Sequence, residues 1–233
     1  PTISKIKITI YRLANDSKIV NALINAAKNG KEVTVVIELQ ARFDEAANLG
    51  WAKTLTDEGV RIALGISGLK IHSKLILIEG KEHGKIKQYA HVGTGNFHEG
   101  TANVYSDISL LTSDERITTE VSRVFDFIER PYLPTHFEHL LVSPIYNRKS
   151  LIGFIDTEIK NAKNGKTAWI KLKLNSLVDN IMVDKLYEAS RAGVKIDLVV
   201  RGICSIIPGE KNMSENIRAI SIVDKYLEHT RIY

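Results

Sequence analysis

The sequence has a single cysteine, Cys204, among 233 residues. One thiol cannot close an intramolecular disulfide and its isolation fits a reducing compartment, so the cytoplasm is the expected location. No run of about 18 apolar residues occurs, and the amino terminus has no charged-then-apolar pattern, so neither a transmembrane segment nor an export signal is expected. Several ligand motifs are missing as well. Gly165, Lys166 and Thr167 have the form of the end of a P-loop, but the required earlier glycine position holds Lys160. His98-Glu99 has no second histidine four residues on, which excludes a zinc-protease helix, and His136 with His139 has no third ligand nearby.

Hydrophobic residues make up 44% of the chain, enough for one large core or two small ones, so the class is globular. The formal charge of +5 favours anionic partners such as nucleotides, nucleic acid or polyphosphate, although a solvated positive face gives the same number. ISKIKITIYR at the start runs directly into a strand-like pattern and LEHTRIY at the end stops inside one, so the chain is expected to be a fragment of a longer protein.

Strands and helices alternate. KITIYR from Lys7 reads as a strand, and Ile19, Val20, Leu23, Ile24 and Ala27 form the stripe of a helix that Gly30 ends. VTVVIEL (33–39) is the near-continuous apolar run of a parallel strand covered on both faces. A second helix carries Ala46, Ala47, Trp51, Ala52 and Leu55, and a strand follows over 60–64. This order indicates an α/β sheet.

The unit occurs twice. Residues 170–202 lie over the stretch from Lys7 to Leu39 without a gap, so that Asp179 falls on Asp16 and Gly193 on Gly30, each 163 positions apart. Further on, Ile217 lies over Val60 and His229 over His72, each 157 apart. Pro131, Pro134 and Pro144 punctuate the join, and the division is placed at 1–138 and 139–233.

In LKIHSKLILIE (69–79), read as a strand, His72, Lys74, Ile76 and Ile78 share one face. A neutral imidazole can attack phosphorus, and an adjacent ammonium can hold the transferring oxygens. YAHVGTGNF (89–97) ends a strand in a turn where Gly93, Thr94 and Gly95 allow close approach and Asn96 can donate its amide to an anion. His91, beside that turn, is the rival nucleophile.

HxK at His72, an acid at Glu79 and then G-T-G-N-F together resemble the signature of the phospholipase D superfamily, whose two halves each give a histidine to one site. ELQARFDEAANLGWAK (38–53), GLKIHSKL, YAHVGTGNFHEGTANVYSD and RAISIVDKYLEHTRIY resemble stretches of the long bacterial polyphosphate kinases, along essentially the whole chain. The fold this implies is α/β: two phospholipase D-like repeats, each a mixed sheet flanked by helices, the second truncated. The implied activity is reversible transfer of the terminal phosphate of ATP to polyphosphate through a phosphohistidine. His72 is then the nucleophile, with Lys74 beside it, and His229 the opposing acid or base. His229 departs from HxK, because Arg231 stands where the lysine would be.

The resemblance also implies nucleotide contacts at Tyr105, Arg201 and His229, and it puts Arg12 and Arg42 beside a phosphate–Mg2+ site. An arginine has no lone pair to give the metal, so Arg12 and Arg42 are read as binding metal-linked phosphate oxygens. Arg12 ends the first strand, Arg42 follows the end of strand 33–39 and Arg201 ends the matching strand of the second copy, where open parallel sheets bind ligands. ATP, ADP and polyphosphate are the implied partners, not nucleic acid, with the full-length protein a homo-oligomer. The alternatives are a phosphodiesterase or nuclease of the same superfamily, with water taking the covalent intermediate, and a non-enzymatic polyanion-binding module. QARFD and HTR favour the kinase family. The fragment alone is expected to fold without making polyphosphate, with His229 mobile on a frayed terminus.

Overall fold

The computed structural model describes residues 2–14, 16–41 and 45–233. The chain forms two units, Pro1–Leu140 and Leu141–Tyr233. In chain order the first contains β1 (Ile3–Ile10), α1 (Lys18–Lys28), β2 (Glu32–Ile37), α2 (Glu45–Asp57), β3 (Arg61–Ala63), β4 (Lys74–Glu82) and β5 (Lys85–Gly93). It continues with α3 (Glu99–Ala102), the short β6 (Tyr105–Ser106), β7 (Ser109–Thr112) and α4 (Glu115–Glu129).

Its main sheet is mixed, in the order β3-β2-β1-β4-β5-β7. The crossover helices α1 and α2 make β1, β2 and β3 parallel, whereas the β4–β5 hairpin and β7 add antiparallel strands beside β1. Alternation along β1 decides which helix covers which face. Ile8 and Ile10 are buried with Val20 and Leu23 of α1 and Leu55 of α2. Lys7 points the other way, its Nζ 5.8 Å from the centre of the Phe125 ring and 3.3 Å from Asp126 Oδ1, both on α4. Helices therefore flank both faces, and β2, central and covered twice, buries all of Val33–Ile37.

Two strand boundaries differ from the sequence expectation for one reason. β2 stops at Ile37 instead of residue 39, and β4 starts at Lys74, so His72 precedes the strand instead of lying in it. After Ile37 the chain leaves the sheet. The Glu38 amide still donates to Ile10 O at 2.9 Å, but its carboxyl oxygens accept the amides of Gln40 at 2.7 Å and Ile71 at 2.6 Å. Side-chain acceptors thus replace the ladder at both places.

The second unit contains α5 (Asn147–Lys163), β8 (Trp169–Leu174), α6 (Asn180–Arg191), β9 (Lys195–Val200), β10 (Ile217–Ile220) and β11 (Leu227–Glu228). β10, β9 and β8 form a parallel sheet in that order, and Ile232 exchanges two backbone hydrogen bonds with Lys173, antiparallel to β8. Leu186, Ile196 and Leu198 centre a core of its own.

The internal repeat extends to single hydrogen bonds. β9 covers β2 residue for residue at the shift of 163, and both preceding helices end on a left-handed glycine, Gly30 at φ 74° and Gly193 at φ 95°. The closing bonds match too: Lys31 to Ala26 O and Gly30 to Ala27 O in one copy, Val194 to Ala189 O and Gly193 to Ser190 O in the other. The N-caps do not match. Asp179 Oδ1 accepts the Met182 amide and caps α6, but in the first copy Ser17 Oγ accepts the Val20 amide and Asp16 has no capping role.

Candidate active site

His72 sits in the lead-in to β4, exposed, with its ring edge-on to Tyr11 at 4.7 Å between centroids. Its neighbours are held on every side. Thr9, on β1, donates its hydroxyl to Ser73 O at 2.7 Å and accepts the Leu75 amide at 2.9 Å. Glu38 accepts the Ile71 amide. Asn48 on α2, fully buried, donates to Tyr11 O at 2.9 Å and to Glu38 O at 2.8 Å, tying together the ends of β1 and β2.

Lys74 does not share an open face with His72 as the alternation rule predicts. The lysine is only 3% exposed, and its Nζ donates to the carbonyl oxygen of His72 at 2.5 Å while lying 5.1 Å from the centre of the Tyr11 ring. The cation is therefore fixed by a main-chain acceptor and an aromatic face, and it acts on the backbone carrying the histidine. Arg12 follows Tyr11 two residues beyond the end of β1, its guanidinium 5.7 Å from the Tyr11 ring. Arg42 lies outside the described residues.

The glycine turn after β5 is held by Asp107. Thr94 Oγ1 donates to Asp107 Oδ1 at 2.7 Å and accepts the Ile108 amide at 3.1 Å, while Asp107 so closely backs Gly95 that a Cβ there would lie 2.8 Å from Oδ2. Asn96 follows with its side-chain oxygen buried and without a hydrogen bond. Tyr105 stands on β6, partly buried.

His91 is differently situated from His72. It lies within β5, with Nε2 2.9 Å from Ser109 Oγ and its ring tilted against Phe97 at 5.2 Å. A Cβ at Gly93 would come within 2.5 Å of its Cε1. Burial pushes its pKa below the ordinary imidazole value, with backbone carbonyl contacts opposing in part.

In the second unit His229 is 7% exposed, and Thr230 beside it is 4% exposed. The frayed terminus expected there is absent: Ile232 is anchored to Lys173 through both of its backbone groups, and Lys173 Nζ also pairs with Glu228. Arg231 Nη1 donates to His229 O at 2.6 Å. Arg201, one residue past β9, places Nε and Nη2 on Asn175 Oδ1 at 3.1 and 2.8 Å, and its Nη1 is buried without a partner. Asn175 and Arg201 occupy the positions of Arg12 and Glu38, so the two units put their positive charge on different strands of the same motif. Tyr11, Thr9, Glu38, Asn48 and Asn175 escaped the reading of the sequence. Tyr11 had a signal there as the residue just before Arg12 at a strand end, and Glu38 and Asn48 lie within the quoted stretch 38–53.

Comparison with known proteins agrees along the whole chain. Residues 1–134 match the family model described as polyphosphate kinase C-terminal domain 1, and residues 140–233 match polyphosphate kinase C-terminal domain 2. The polyphosphate kinase of Escherichia coli (strain K12) is 58% identical over 233 residues, covering 100% of this chain and 34% of that protein. That of Vibrio cholerae is 53% identical over 232 residues, covering 100% of this chain and 33% of its own length. The chain thus spans about a third of the length of the curated relatives it matches. The crystal structure of polyphosphate kinase from Porphyromonas gingivalis covers 99% of this chain and 38% of its own, with a TM-score of 0.88 at 42% identity. With two domain models in tandem, and a shared fold at that identity beneath the duplicated histidine motif, this chain belongs to the polyphosphate kinase family.

Proposed function

We propose that this chain carries the phosphoryl-transfer centre of a polyphosphate kinase and that His72 is its covalent nucleophile. The observation that carries the reading is the state of His72: an exposed imidazole on a backbone that Thr9, Glu38 and Lys74 hold still. An imidazole nitrogen attacks the terminal phosphorus of ATP. The bond to the bridging oxygen breaks, and ADP leaves with that electron pair. A chain-end phosphate oxygen of polyphosphate then attacks the phosphohistidine, the P–N bond breaks, and the imidazole returns to its starting state. His229 serves as the acid or base in one or both steps. Each step is reversible, so the same centre runs in either direction.

Arg12, Arg42 and Arg201 are taken to bind the phosphate oxygens, Tyr105 and His229 the nucleotide, and Asn96 the transferring group. Among the described residues no group of three or more His, Cys, Asp or Glu side chains converges to hold a metal. Magnesium would enter as MgATP, with Arg12 and Arg42 binding the phosphate oxygens linked to it, and would supply charge neutralisation there.

The test uses a full-length polyphosphate kinase carrying this sequence. Incubated with ATP labelled in the terminal phosphate and digested under alkaline conditions, it should yield label on the His72 peptide by mass spectrometry. Label on His91 with His72 unmodified would overturn the assignment, and release of inorganic phosphate without transfer would favour a hydrolase.

A further inference from the structure

We infer that Glu38 and Thr9 are positioning residues that hold the main chain on both sides of His72 and so set the attack geometry of its imidazole. The inference rests on the reading of His72 as the phosphorylated group. It begins from an irregularity of the sheet. The ladder between β1 and β4 starts only after His72, and a segment entering a sheet without ladder bonds would ordinarily move. Here side chains take over. Glu38, 6% exposed, uses one carboxyl oxygen to accept the amide of Ile71, the residue before His72. Its other oxygen accepts the Gln40 amide, which fixes the carboxyl plane. Thr9, wholly buried, donates to the carbonyl of Ser73, the residue after His72, and accepts from Leu75.

The hydrogen bonds of both side chains go to main-chain groups beside His72, which makes them positioning residues and not catalytic ones. Their effect runs through the backbone: three residues in a row, Ile71 to Ser73, cannot shift while both anchors are in place. The second unit gives the contrast. Position 38 is Arg201 there and position 9 is Leu172, so neither anchor recurs, and the segment at His229 is held instead through Lys173, Glu228 and Ile232. The difference assigns the rigid mounting to the histidine that must attack in line, where a displacement of about 1 Å costs on the order of a hundredfold in rate.

The test compares Glu38→Gln, Thr9→Val and Thr9→Ser in a full-length enzyme carrying this sequence. Glu38→Gln loses one of two acceptors, Thr9→Val loses the hydroxyl at nearly constant volume, and Thr9→Ser restores it. The single-turnover rate of His72 labelling from ATP should fall by roughly 10- to 100-fold in E38Q and T9V, with KM for ATP within about threefold of wild type, and T9S should recover most of the loss. A second readout needs no phosphoryl transfer: the rate of carbethoxylation of His72 by diethyl pyrocarbonate should change in E38Q and T9V and return in T9S. Labelling of T9V at the wild-type rate, or equal slowing in T9S and T9V, would overturn the inference. If E38Q does not fold, the Thr9 pair decides alone. Should wild type carry its label elsewhere, the functional reading fails, and unchanged carbethoxylation across the variants would overturn the positioning as well.

Discussion

Lys74 and Arg231, 157 positions apart, make the same contact: each reaches back to the main-chain carbonyl of the histidine two residues before it, at 2.5 Å from His72 O and 2.6 Å from His229 O. The second position of the motif is thus a cation that clamps the histidine's own backbone, and this is why an arginine can stand where the first copy has lysine. What the clamp needs is a positive donor of sufficient reach, not a particular fork geometry.

Arg231→Lys should therefore be mild and Arg231→Met should not. Loss of a charge-assisted hydrogen bond to this carbonyl should lower stability by on the order of 1–2 kcal/mol in the methionine variant, with the lysine variant retaining most of it. Urea unfolding of the two variants beside wild type measures the difference.

Arg201 should respond in the opposite way. Its Nε and Nη2 both rest on Asn175 Oδ1, which leaves Nη1 aimed elsewhere without a partner. A lysine cannot reproduce that divided arrangement, so Arg201→Lys should raise KM for ATP by about tenfold or more despite keeping the charge. Asn175→Ala should move KM in the same direction by a smaller factor, as steady-state kinetics in the full-length enzyme would show.

Gly95→Ala should disrupt the turn that presents Asn96. The added Cβ would meet Asp107 at 2.8 to 3.0 Å, and pushing Asp107 aside breaks its bond from Thr94. Transfer activity should drop by at least about tenfold, while unfolding free energy changes by roughly 1–3 kcal/mol. Activity at the wild-type level would show that the turn has slack.

Glu120 should make the first unit acid-sensitive. Burial raises its pKa, but the amides of Glu138, His139 and Leu140 bond to the carboxylate and outweigh that effect, so the net shift is downward. A folded-state pKa below the unfolded one means that the carboxylate's contribution is full above the unfolded value, near 4.3, and is lost as pH falls through the folded value. Glu120→Gln should lower stability at pH 6 and flatten its decline below about pH 4, as chemical denaturation at several pH values would reveal.

Much was legible in the sequence because it depends on periodicity and on the special backbone of glycine. The alternating strands and helices, the duplication at 163 and 157, and the glycine ends at Gly30 and Gly193 are local properties of neighbouring residues, and they appear in the structure where the pattern puts them. The resemblance of the histidine and glycine-turn motifs likewise led to the family found by comparison.

What the sequence could not decide is where the ladder stops. Whether His72 belongs to β4 depends on Thr9, 63 residues earlier, and on Glu38 capturing the Ile71 amide from the end of another strand. Strand-face alternation holds only inside a ladder, so it gave the wrong orientation for Lys74, which is buried against Tyr11 and the His72 carbonyl instead of lying open beside the imidazole. His229 shows the same limit, since its anchoring comes from Lys173, more than fifty residues away. Residue identity and spacing determined which groups are proposed for the chemistry. Contacts between segments distant in sequence determined how they are held, because a buried backbone amide or carbonyl takes whatever acceptor or donor folding brings to it.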